Sequence, residues 1–128
     1  MKEEDREIWV GENRYYLSED NILHITNVGP LDTEQAAAVR EALMKLKSMS
    51  KGKMDVLVDL NQAGQASSKA REIFKGMSED ENVEHVAIFG AHPVAKVLAS
   101  FFMGASKNRN IRFFKIKEEA LEWLKEEP

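Results

Sequence analysis

The chain has 128 residues, enough for one domain with a sizeable core. It is 43% hydrophobic and 31% charged, as globular proteins are, and its lack of cysteine excludes disulfides, thiolate metal ligands and cysteine nucleophiles. A net charge of −4 argues against a dedicated nucleic-acid binder.

The charge is unevenly spread. Residues 1–20 hold seven acids against three bases, whereas the span from His85 to Lys117 holds six bases and no acid. The longest apolar run is broken by Lys96, short of a membrane span. The acidic start MKEEDREIW has no apolar core of the kind a secretory signal needs. A cytoplasmic protein without integral membrane association is expected.

In chain order, Glu7 to Val10 and Arg14 to Leu17 read as short strands about a turn at Gly11-Glu12-Asn13. After Ser18-Glu19-Asp20-Asn21 comes a strand from Ile22 to Val28, which Gly29-Pro30 is expected to stop. Asp32 fits a helix N-cap, with Gln35 completing a capping box and Leu31 placed to staple onto Ala36. Val39, Ala42, Leu43, Leu46 and Met49 form the buried stripe of that helix, and Gly52 lies beyond its end.

The stretch Met54 to Met77 is a complete βα unit. Its valine- and leucine-rich start suits a strand over 54–60 buried in a parallel sheet. Asn61 to Gln65 reads as a polar loop, and a helix follows Ser67-Ser68 with Ala70, Ile73, Phe74 and Met77 on one face and Gly76 near its end. His85 to Gly90 is the next strand, and Pro93 at the first helical position after His92 opens a helix to about Ala105. Ile111 to Ile116 is a strand, and Lys117 to Glu126 a helix burying Ala120, Leu121 and Leu124. The expected fold is α/β: an N-terminal β-hairpin leading into four βα units, in one domain over residues 1–128. With right-handed crossovers and each strand beside its predecessor, all helices would share one face; a reversal of order would split them.

Three segments carry a resemblance: VLVDLNQAG at 56–64, VAIFG at 86–90 and IRFFKIKEEALEWL at 111–124. With them the chain resembles the STAS domain superfamily (sulfate transporter and anti-sigma-factor antagonist), in its SpoIIAA-like branch. The resemblance implies a βα superhelix with a mostly parallel sheet and helices mainly on one face. It also implies a core shared with lipid-binding CRAL-TRIO domains, which brings apolar ligands into view. In the antagonists, the loop before the second helix ends in Asp-Ser-Ser-Gly, whose first serine accepts phosphate. Ser68 stands at that serine's place, but Ser67 replaces the aspartate and Ala70 the glycine. A capping or loop role is therefore expected for Ser68 rather than a phosphoswitch.

The candidate residues at the carboxyl ends of the strands are Asp59, Asn61, Ser67, Ser68 and His92. A serine starting a helix can bind an anion or cap the helix, and serine favours capping. Asp59, within an apolar strand, could act as a desolvated base, although an aspartate there more often binds loop amides. A triad of Ser68, His92 and Asp59 can be drawn, but no GxSxG elbow supports it. His24, His85 and His92 share no ligand spacing, so no metal site is expected, and the single glycine of 61–64 matches no nucleotide-binding loop. No catalytic residue and no cofactor are expected.

A second candidate surface lies on the helix PVAKVLASFFMGA. Val94, Val97, Leu98, Phe101 and Ala105 make a stripe that can pack on the sheet, leaving Ala95, Ala99, Phe102 and Met103 on other faces. An apolar patch of Phe102, Met103 and Ala99 rimmed by Lys96 and Arg109 would suit a protein partner, a second copy of the chain, or an amphiphile with an anionic head. The function expected is thus a non-catalytic STAS-like interaction or regulatory module, acting on a protein partner or as a homodimer. A carrier of a small apolar or anionic ligand ranks second, and a hydrolase a distant third.

Overall fold

The computed structural model describes residues 6–93, 95–97, 99–100 and 110–126. Six strands lie in one sheet in chain order: β1 (Glu7–Val10), β2 (Asn13–Leu17), β3 (Ile22–Leu31), β4 (Met54–Ala66), β5 (Val83–Phe89) and β6 (Ile111–Phe114). β1, β2 and β3 pair antiparallel, and β3 to β6 pair parallel, as expected. The helices are α1 (Thr33–Ser48), α2 (Ser68–Ser78), α3 (helical at 93, 95–97 and 99–100) and α4 (Lys117–Glu126).

Local chemistry sets several boundaries. Asp32 caps α1 in a full capping box: its carboxylate accepts the Gln35 amide at 2.8 Å, and the Gln35 side chain accepts the Asp32 amide at 3.3 Å. Asn21 adopts φ 66°, a conformation asparagine tolerates, and its side chain bonds Lys51 and Lys53. The β2–β3 turn is thereby fastened to the loop that feeds β4.

The sheet has two covered faces of unequal size. On one, Leu23 and Ile25 of β3, Val56, Val58 and Leu60 of β4, and Val86 and Ile88 of β5 pack against α1, α2 and α3. On the other, Ile22, Leu57, Ala87 and Phe89 pack against Ala120 and Leu124 of α4. Three helices thus share one face, because each is a right-handed crossover between neighbouring parallel strands. α4 follows the last strand and crosses nothing, so handedness does not bind it. It covers the opposite face.

Four local expectations need correction. β3 does not stop at Gly29-Pro30, and 61–65 is not a loop: both strands run on as a two-stranded ribbon, with Val28 opposite Gln62, Gly29 opposite Ala63 and Leu31 opposite Ala66. Gly29, at φ 70°, makes the bulge that takes Pro30 out of the ladder. Gly64 lies so close that an added Cβ would stand 2.8 Å from the Pro30 nitrogen. β5 begins at Val83, so His85 lies inside it. β6 ends at Phe114, two residues short of Ile116.

The fourth correction concerns α3. Ala95 and Ala99, expected on other faces, are buried, and Val97, expected in the packing stripe, is 53% exposed; Val94, Leu98, Phe101 and Ala105 lie outside the described residues. Close approach is the reason at Ala95: a Cβ added to Gly90 would clash with the Ala95 methyl, so this part of the helix lies tight against the chain at Gly90. Ala99 therefore belongs to the core and not to a partner surface, while Lys96 is exposed. Phe102, Met103 and Arg109 lie outside the described residues.

Candidate functional site

At the carboxyl ends of β4 and β5 the structure joins three of the five expected residues. Asp59 Oδ1 accepts the Asn61 amide at 2.9 Å, and Asn61 Oδ1 accepts the Ala91 amide at 3.0 Å. His92 Nδ1 faces the Ala95 amide at 3.3 Å and therefore acts as acceptor. The proton then sits on Nε2, which donates to the Leu60 carbonyl at 2.7 Å. His92 is thus the cap of α3, and Asp59, Asn61 and His92 together lace that helix to the end of β4.

Ser67 and Ser68 stand apart, beyond the β4 extension. Ser67 caps α2, its Oγ accepting the Ala70 amide at 3.1 Å. Ser68 is exposed in the first turn, and its hydroxyl accepts from Arg71 at 3.4 Å. Both ring nitrogens of His92 are engaged with backbone and Ser68 with Arg71. The Ser68–His92–Asp59 triad is not assembled.

Two clusters escaped the sequence reading. In β4 and β5, on the face covered by α4, Asp55 Oδ1 lies 3.3 Å from Nδ1 of the buried His85, whose ring meets the edge of Trp123 at 5.4 Å. Burial pushes the Asp55 carboxyl up and the His85 bond opposes it. A signal existed, since Asp55 and His85 each stand near the start of adjacent strands, but it becomes a pairing only through the register. The second cluster is on the uncovered half of the same face, where the His24 ring lies 5.8 Å from Tyr16 and Arg14 covers Tyr16 at 4.7 Å. Burial, with the Lys117 and Arg14 charges, pushes the His24 imidazole below its ordinary value, against an opposing pull from Asp20. The three histidines occupy separate places. Among the described residues no group of three metal-ligating side chains could hold an ion.

An open groove of about 590 Å³ lies between α1 and α2. Arg40, Leu43, Met44 and Lys47 line one wall, and Lys69, Glu72, Ile73 and Gly76 the other; Met54, Met77 and Val83 complete its apolar lining. Lys47 pairs with Asp80, and Lys69 with Glu72 at 3.7 Å. For Asp80, burial works to raise the carboxyl, but the bonds from Lys47 and the Asn82 amide prevail and hold it low. Ile73 and Met77, expected in the α2 core stripe, are half-buried in this groove, whereas Ala70 and Phe74 are buried. Beneath α2 a small cavity beside Asn27 has only about 20 Å³, room for one water. Among the described residues no helix is long and apolar enough to cross a membrane.

Comparison with solved structures places the fold. The chain is similar to an uncharacterised protein of the DUF3478 family with a SpoIIAA-like fold from Shewanella loihica PV-4: TM-score 0.64 and 22% identity, over 88% of this chain and 91% of that one. It is also similar to the anti-sigma factor antagonist SpoIIAA in its unphosphorylated form: TM-score 0.63 and 10% identity, over 90% and 99% of the two chains. The resemblance read from the strand sequences is therefore a real likeness of fold. No functionally curated protein matches the chain in sequence. A family model matches residues 15–127, and the chain belongs to that family, the domain of unknown function DUF7793.

Proposed function

We propose that this protein is a non-catalytic interaction module that docks onto another protein through its helical layer. The groove between α1 and α2 carries this reading: Met44 is 58% exposed on its rim, and Ile73 and Met77 remain half-buried within it. Exposed apolar surface of this kind marks a binding site. The polar groups at the carboxyl ends of the strands support the same reading, because they cap helices and bridge backbone groups instead of facing a substrate. The likeness in fold to an anti-sigma factor antagonist is consistent with such a role. A carrier of a small ligand ranks second, since among the described residues the cavity under α2 has room for one water and the groove is open to solvent.

The test is quantitative affinity capture from extract of the cells that make the protein, with wild type and Met44→Glu as baits. A protein retained by wild type and lost on Met44→Glu is the expected result. Equal recovery on both baits removes the groove from the function. Native mass spectrometry separates the runner-up: the bare chain mass is expected, and a retained apolar or anionic ligand establishes the carrier instead.

A further inference from the structure

The shape of the groove says what kind of partner segment it takes. Its walls are two helical stripes with matched spacing, 40-43-44-47 on α1 and 69-72-73-76 on α2. Helix walls have their backbone N–H and C=O groups paired internally, so they offer no ladder to an extended peptide. They do offer ridges that repeat each turn, and a third helix fits such ridges side chain into gap.

Gly76 points the same way. It lies in the last turn of α2, where glycine costs helix stability relative to alanine. Its φ is not positive, and a Cβ added there would meet nothing within 4 Å. Neither the backbone nor the packing of this chain requires glycine at this position. A glycine in a groove wall lets a second backbone come close.

The lining adds two features. Three of the six methionines, Met44, Met54 and Met77, lie in the groove, and flexible thioether side chains can repack around a helix. The charges Lys47, Asp80, Lys69 and Glu72 are matched in pairs, whereas Arg40 has no partner among the described residues. An acidic group on the incoming segment completes the rim.

We propose that the α1–α2 groove receives an amphipathic helix of a protein partner, its apolar stripe on Met44, Ile73 and Met77, its backbone close to Gly76 and an acidic residue opposite Arg40. This rests on the reading of the protein as an interaction module and specifies the occupant.

The experiment uses the full chain and two synthetic helical peptides. Both carry leucines at i, i+3, i+4 and i+7, and they differ only in having glutamate or lysine on the flanks. Titration followed by methionine-methyl NMR is expected to shift Met44, Met54 and Met77 with the glutamate peptide, and the lysine peptide should bind about tenfold more weakly. Gly76→Leu should lower affinity by about tenfold or more with an unchanged circular dichroism spectrum, and Arg40→Glu should reverse the preference between peptides. The proposal is overturned if neither peptide binds, if both bind equally, or if Gly76→Leu is without effect. Self-association in sedimentation that Gly76→Leu abolishes would assign the groove to a second copy of the chain and overturn it as well. Capture that depends on Met44 while no peptide binds would refute the helix and leave the interaction module standing.

Discussion

His24 shows how one side chain couples pH to stability. Burial and the Lys117 and Arg14 charges favour its neutral form, so the folded protein takes up this proton at lower pH than the unfolded chain, whose value is near 6.5. Below that value the unfolded state binds more protons, and stability falls until the folded group protonates too. Above it the histidine contributes no slope. Asp20 pulls the other way and only reduces the shift. Urea midpoints should therefore fall from neutral to mildly acid pH in wild type and fall less in His24→Gln. Parallel profiles for the two proteins would refute this account.

At the scale of elements, the start of α3 is fastened by a small contact set. The helix is held by the Ala95 methyl against Gly90 and by His92, which caps the helix and donates to the Leu60 carbonyl. His92→Ala removes the cap and leaves that carbonyl without its donor. It should cost about 1–2 kcal/mol in urea unfolding. His92→Asn keeps a capping side chain and should recover part of the loss; an asparagine variant no more stable than the alanine one would show that the cap contributes little. The β3–β4 ribbon owes its shape to two glycines instead: Gly29 turns the chain, and Gly64 lets the two backbones meet.

For the whole molecule, the asymmetry of the two cores is the governing fact. Among the described residues, the core under α1, α2 and α3 holds most of the buried side chains, while that under α4 has six buried members. Leu124→Ala removes one of those six and should cost about 2–3 kcal/mol, lowering the melting temperature. The groove lies on the opposite face, so peptide binding should survive the same substitution. Hydrogen exchange should show α4 opening at lower free energy than β4 and β5, because it closes the smaller core. Equal protection of α4 and the central strands would indicate one cooperative unit.

Much of the architecture was legible along the chain. The capping box at Asp32, the apolar runs of β4 and β5 and the proline after His92 are local patterns, and local patterns identify elements and their order. Contacts decided by space were not legible. Asn61 to Ala66 looks like a loop because its side chains are polar, yet backbone pairing with β3 makes it a strand. On α3, Val97 looked like a packing residue because it is large and apolar, whereas Ala95 is the residue set tight against Gly90. The candidate site divided the same way. A cap at His92 and another within Ser67-Ser68 were recognisable from position alone, since capping is a local bond, but only the structure assigns the second cap to Ser67 and not Ser68. The Asp55–His85 pair and the α1–α2 groove join residues about 30 apart, and only strand register and helix packing bring such residues together.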